Sequence, residues 1–344
     1  MDKTAETQEL LFIEFYRDVR YNEKIKSGVN RMIETIVSVQ LPIKEELKIK
    51  KNRLTPDEMT GRERRICIVS GLYGDELGGQ YICGEVIRRI KANYDMLKGI
   101  VDVYPTINSL GLDSRSREIP MFDLDYNTIF PGSADGDLAE YTAAKLIEDI
   151  DGADFCIDVH SSNVFLKELP QIRVNDDVSE ETLELCKSLN MDLIWIHPST
   201  MVNEGSLAYA LNEIGVPTIV TESGTAFRIK YNYCEQVIDG IFCLMKKLGI
   251  WEGETVTPRE AVVVNDEEIT YLNCETSGLF VTHKHLYQRV EQGDLIGVIT
   301  KPIFGSVEEE IKAPVSGILI TLREHPGVSE GTLVARILGS QEEK

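Results

Sequence analysis

Five runs of strand length, "RICIVSG" (65–71), "GIVDVYPTIN" (99–108), "DFCIDVHSS" (154–162), "LIWIHPS" (193–199) and "PTIVTESG" (217–224), alternate with segments whose apolar residues recur every three or four positions. Most of these runs are too continuously apolar to keep one face in water, which marks strands covered on both sides. The intervening segments "GGQYICGEVIRRIKANY", "GDLAEYTAAKLIEDI", "SEETLELCKSLN" and "SLAYALNEIG" have the amphipathic spacing of the helices that would cover them. The alternation predicts an α/β fold with a mixed, mostly parallel central sheet and flanking helices.

After "LMKKLGIWEGETVTPREAV" the texture changes to short β-like pieces punctuated by glycine and proline, such as "VEQGDLIGVIT" and "EEEIKAPVSGILITL". This predicts an α/β catalytic-type domain over 1–255 and a small all-β domain, barrel-sandwich-like, over 256–344. A chain of 344 residues, 42% of them hydrophobic, is long enough for both. Its net charge of −21 repels a phosphate backbone, so nucleic acid is not an expected partner. The start "MDKTAETQELLFIEFYRDVRYNEK" lacks the basic opening and long apolar core of a secretory signal, and no later run reaches about 18 apolar residues. A cytoplasmic protein without a membrane partner is expected. The seven cysteines are scattered without a C-x-x-C pair, which suits reduced core thiols.

Residues with chemistry fall just past the strand ends. "GLYGDE" places Tyr73, Asp75 and Glu76 between a strand and a helix, His160 follows "FCIDV", and Glu222 follows "PTIVT". In an open α/β sheet such ends converge on one crevice, so residues distant in sequence become neighbours. A carboxylate and an imidazole suit zinc, and a second glutamate clear of the metal can act as general base. Singly, an acid at a helix start only favours the helix dipole, and a lone histidine after a strand is usually a core residue. The combination is what points to hydrolysis.

The ordered segments "GLYGDE", "NSLGLDSRSREIPMFDLDYNTIFPG", "DVHSS" and "TESG" resemble the succinylglutamate desuccinylase/aspartoacylase family, a branch of the zinc carboxypeptidase fold. The C-terminal "EQGDLIGVITKPIFGSVEEEIKAPVSGILITL" is similar to the β domain of its bacterial members, and the likeness spans roughly residues 60 to 340. The resemblance implies one zinc ion with Glu76 and His160 as ligands, Glu222 as general base, and Arg117 and Asn127 in the substrate pocket. It also implies a small-molecule substrate.

Two positions depart from the family pattern. Tyr73 stands where the family has its first zinc histidine, and a phenol ligates only as phenolate, several pKa units below its usual value of about 10. Thr128 stands where an arginine would clamp a substrate carboxylate, and a hydroxyl cannot replace a bidentate guanidinium. Acetylaspartate and succinylglutamate are therefore not the expected substrates. The leading expectation is a metal-dependent hydrolase of an amide or ester bond, and the alternative is an inactive family member that binds a small molecule or a protein partner. Homo-oligomerisation stays open.

Other residues carry weaker signals. His197 in "WIHPST" follows a strand and is either a replacement metal ligand or, as preferred, a buried hydrogen-bonded histidine, and Arg228 and Lys230 in "TAFRIKY" either restore positive charge to the pocket or form a solvated face. His283 and His285 in "VTHKH" would face one side of a strand, a pair without a third metal ligand.

Overall fold

A computed structural model of the protein describes residues 32–41, 44–120, 122–198 and 203–339. The N-terminal segment, expected to lack a secretory signal, lies outside them. Two antiparallel strands come first, β1 (Ile33–Gln40) and β2 (Glu46–Leu54). The central strands come next: β3 (Arg65–Ser70), β4 (Ile100–Tyr104), β5 (Phe155–His160), β6 (Leu166–Asn175), β7 (Leu193–His197) and β8 (Thr218–Gly224). Strands β4, β3, β5 and β8 lie side by side and parallel, and β6 joins β8 antiparallel. The sheet is thus mixed, with a parallel centre.

Helices cover both faces, and strand periodicity decides which residue meets which helix. Ile66 and Ile68 of β3 pack with Ile82, Val86 and Ile90 of α1 (Leu77–Ala92). Their alternates Cys67 and Val69 face the opposite layer, with Ala139, Ala143 and Leu146. Between these elements a short helix, α2 (Ser109–Ser114), succeeds β4. The alanines and Leu146 belong to α3 (Leu138–Ile150), which starts on a capping box between Asp137 and Glu140. Helices α4 (Glu180–Cys186), α5 (Leu207–Glu213) and α6 (Tyr231–Lys247) complete the layers. No helix among the described residues is long and apolar enough to cross a membrane. All seven cysteines are buried and unpaired.

The boundary expected near residue 256 falls on the coil between α6 and β9 (Val262–Asn265). Only part of the C-terminal segment is set apart from the central sheet. After β10 (Ile269–Asn273), β11 (Gly278–Val281), β12 (Arg289–Val290), β13 (Leu295–Lys301) and β14 (Ser306–Lys312) come β15 (Gly317–Arg323), β16 (Gly327–Val328) and β17 (Leu333–Gly339). Strands β14, β13, β11 and β16 form a small antiparallel sheet, whereas β15, β17 and β10 extend the central sheet from β6. This extension brings the C-terminal strands to the region where β5 and β8 end and β6 begins.

Candidate active site

The strand-to-helix turn after β3 depends on two glycines. Gly71 has φ of +67°, a left-handed conformation that side chains disfavour, and Gly74 packs so closely that a Cβ there would lie 2.0 Å from the carbonyl carbon of Gly111. This turn delivers Glu76 to the start of α1, where its carboxylate meets His160 at the end of β5. Glu76 Oε2 lies 2.9 Å from His160 Nδ1 and accepts a hydrogen bond from the Ser161 amide at 3.0 Å, while Oε1 lies 3.4 Å from Arg117 Nη1. On the other side of the imidazole, Asp158 Oδ2 sits 3.0 Å from Nε2. Asp158 and His160 alternate with Val159 along β5, so both point to one face.

These groups are almost completely buried, Glu76 to 2% and His160 to 4% exposure. Burial raises the Glu76 pKa, against the lowering pull of His160 and Arg117. Burial alone would push the imidazole down, but the Asp158 and Glu76 carboxylates outweigh it and hold His160 well above its ordinary value.

Glu222 lies directly opposite His160 in the neighbouring parallel strand β8. Its Oε1 is 3.7 Å from Arg173 Nη1, and its Oε2 is buried with no hydrogen-bond partner. Burial pushes its carboxyl up to about 8; Arg173 offsets part of this, and the Glu168 and Glu76 carboxylates add to it. The carboxyl borders a cavity of about 170 Å³ whose lining includes Glu76, Arg117, Glu168, Arg173, Glu222 and Arg336.

Tyr73 is buried at the side of this group. Its ring is 5.2 Å from that of His160, and the Arg117 guanidinium stacks on it at 3.4 Å from the centroid. Burial raises the phenol pKa, so the ring is neutral, and Asn127 stands beside its hydroxyl. Asn127 also accepts from the Leu207 amide, and Thr128 Oγ1 donates to the Asp125 carbonyl at 2.7 Å. Asn127 and Thr128 thus brace the turn beside Tyr73, outside the residues that line the cavity.

The donors fit two of the three ligand positions that catalytic zinc ordinarily takes from protein. Glu76 and His160 already touch, and Asp158 lies 3.0 Å from the far imidazole nitrogen, on the side where carboxylates stand beside metal-bound histidines. The third position does not fit, because Tyr73 offers a neutral phenol covered by a guanidinium. Among the described residues no group of three His, Cys, Asp or Glu side chains is arranged to hold a metal ion.

The other candidates lie elsewhere. His197 stacks on Trp195 at 4.6 Å, with burial, aided by Arg173, lowering its pKa to about 4. Arg228 donates to the Phe227 carbonyl and Lys230 approaches Glu324 at 3.9 Å, both outside the cavity lining. His283 and His285 are not on a strand; they stand in the coil after β11. Conversely, Asp158, Glu168, Arg173 and Arg336 enter the site without having been singled out by motif. Asp158 could have been found two residues before His160. The others had no comparable local signal.

A family model described as the Succinylglutamate desuccinylase/Aspartoacylase catalytic domain matches residues 62–248. The N-alpha-acetyl-L-2,4-diaminobutyric acid deacetylase of Halomonas elongata is 26% identical over 284 residues, 78% of this chain and 80% of that protein. The product-bound ectoine utilization protein of Ruegeria pomeroyi superposes with a TM-score of 0.75 at 20% identity, covering 89% of this chain and 94% of that one. A succinylglutamate desuccinylase/aspartoacylase from Rhodobacter sphaeroides gives a TM-score of 0.76 at 18% identity, covering 90% and 96%.

Proposed function

Because the chain belongs to the succinylglutamate desuccinylase/aspartoacylase family, we propose that it is a deacylase, hydrolysing the amide or ester bond of a small acylated compound with Glu222 as general base. The observation that carries this reading is the unpaired Glu222 Oε2 at a polar cavity beside the Glu76–His160 pair. A base must have a free lone pair within reach of the attacking water, and a raised pKa makes Glu222 a stronger base once it has lost its proton, as pH rises through about 8. Glu222 takes the proton from water and returns it to the leaving group. Arg117 lines the same cavity and supplies N–H donors for the acyl oxygen as charge develops on it.

Glu76 and His160 are the residues that would hold a divalent ion, zinc by family precedent. The chemistry such an ion supplies is Lewis-acid activation of the acyl carbonyl and of water. With two protein ligands its affinity is lower than at a three-ligand site. Tyr73→His is expected to raise zinc affinity at least tenfold, about 1.4 kcal/mol, as measured by competition with a chelating dye. Unchanged affinity would remove Glu76 and His160 as the seat. The unpaired thiols suit a reducing cytoplasm.

The test is a screen of N-acyl amino acids, amides and simple esters with zinc, manganese or nickel supplied in turn. N-acetyl amino acids come first, given the Halomonas relative. Turnover that disappears in Glu222→Gln supports the deacylase. The Arg117–Tyr73 stack, which fills a ligand position, favours a second reading as a small-molecule binder without turnover. Rates independent of Glu222 across the screen would select it.

A further inference from the structure

Where the small C-terminal sheet meets the extension of the central sheet, a second cavity of about 340 Å³ opens. Its lining includes Lys167 of β6, Phe280 of β11, Lys284 in the coil after β11, and Leu322, Arg323 and Glu324 at the end of β15. No residue lines both this cavity and the one beside Glu222.

The two cavities differ in how their charges are met. Beside Glu222, three arginines face three glutamates. A row runs there from Glu168 of β6 through Thr321 of β15 to Arg336 of β17, each opposite the next across the sheet. Arg336 Nη1 donates to Glu168 Oε1 at 2.7 Å and to Thr321 Oγ1 at 3.3 Å, and Arg173 Nη2 donates to both Glu168 oxygens. In the second cavity three cations, Lys167, Lys284 and Arg323, face the single carboxylate of Glu324.

Among the described residues no carboxylate comes within ion-pair distance of Lys167 or Arg323. Neutral groups hold Arg323 instead. Its Nε donates to the His325 carbonyl at 2.8 Å, Nη2 to the Gly327 carbonyl at 2.9 Å and Nη1 to the Leu333 carbonyl at 3.4 Å, and the Phe165 ring lies 5.2 Å away. These contacts fix the guanidinium without neutralising it. The Lys284 side chain is only 19% exposed, and its carboxylate partner, Asp294, stands 3.6 Å away. Glu324 in turn lies 3.9 Å from Lys230, so counting both of these partners leaves the positive excess as it was. In a chain of net charge −21, a cavity of this sign attracts an anion.

The cations also limit the shape of that anion. A planar carboxylate occupies one edge of a guanidinium and leaves the lysines without acceptors, whereas a phosphoryl group offers several oxygens in different directions and close to two negative charges. The space falls in the range of small-molecule sites, about 300 Å³ and upward. Phe280 and Leu322, both buried, add an apolar part to the lining. We propose that this seam between the sheets binds a phosphate group through Lys167, Lys284 and Arg323, as the free ion or as the monoester of a small molecule. The proposal does not rest on the deacylase reading.

The test is calorimetric titration of the full chain in a phosphate-free buffer at fixed ionic strength, with inorganic phosphate, phenyl phosphate and acetate as probes. The wild type is expected to bind at least one phosphate probe with a Kd below about 1 mM, and acetate at least about tenfold more weakly. Tighter binding of phenyl phosphate assigns the site to an ester, and binding of inorganic phosphate at least as tight assigns it to the free ion; either result upholds the proposal. Lys167→Gln, which removes no hydrogen bond or ion pair among the described residues, should weaken phosphate binding at least about tenfold, and so should Lys284→Gln. Arg117→Gln, in the other cavity, should leave it unchanged. Failure of both phosphates to bind, acetate held as tightly as phosphate, or an affinity that either lysine variant leaves intact would overturn the proposal. Loss of binding in Arg117→Gln would overturn it too, by placing the anion beside Glu222.

Discussion

Replacing Glu222 by glutamine is expected to lower kcat/KM for a cleaved substrate by about a thousandfold, within the range for loss of a general base and equal to about 4 kcal/mol of barrier. Glutamine keeps the shape and one acceptor oxygen but cannot take a proton. In the wild type, the rate should rise with pH along a limb centred near 8, the value to which burial pushes this carboxyl. The limb should be absent from the residual rate of the variant. Stability should move in the opposite sense. The folded chain keeps a proton on Glu222 that the unfolded chain releases near 4.5, so the wild type loses stability as pH rises from there through about 8. The amide mimics the protonated acid, so Glu222→Gln should lose less stability over that window and overtake the wild type at its upper end. Full activity in the variant, or a pH limb that survives the substitution, would remove Glu222 from the mechanism.

Gly74→Ala should damage both fold and activity. The new methyl would lie 2.0 Å from one backbone carbon of Gly111 and 2.4 Å from the next residue's nitrogen, and no side-chain rotation can relieve a clash between backbones. The cost is expected to be about 3 kcal/mol or more, at the upper end for overpacking. If α2 or the turn yields instead, Glu76 moves with it. A displacement of about 1 Å at a catalytic group can cost about a hundredfold in rate. Chemical denaturation and kcat/KM measured together would reveal either outcome, and wild-type values in both would show that the turn tolerates a side chain at Gly74.

The strands that lead to Glu76 and carry His160 and Glu222 are legible in the sequence because burial on both faces leaves almost no polar residue to blur them, as in "RICIVS" and "FCIDVH". Strand β6 is the contrast. "LKELPQIRVN" carries Lys167, Glu168 and Arg173, and Pro170 interrupts it. A proline is normally excluded from an interior strand. Here it lies within the register shift between Glu168 and Gln171, where ladder pairing is already broken. The strand that looks least like one therefore holds two of the residues at the heart of the cavity. Arg336 is hidden for a different reason. Its relation to Glu168 depends on strands 168 positions apart in sequence becoming neighbours through β15, and no local pattern encodes that distance. The site residues that were found share a local signature, a charged or imidazole side chain at the exit of a strand. That rule identifies Glu76, His160 and Glu222, and it cannot identify side chains in the middle of strands.

The row from Glu168 through Thr321 to Arg336 limits where this chain can change length. A register shift between Leu319 and Thr321 brings Thr321 opposite Arg336, so the row depends on the exact residue count of both strands. Because strand side chains alternate between faces, inserting or deleting one residue between Thr321 and the end of β15, or between Leu333 and Arg336, turns a member of the row to the wrong side. The loop between β13 and β14 has no such duty: Ile303 and Phe304 stand 86% and 74% exposed there, away from the cavity. Relatives that keep this row should thus vary freely in the number of residues at that tip, yet preserve the spacing from Thr321 to Arg336 even where the residues between them differ.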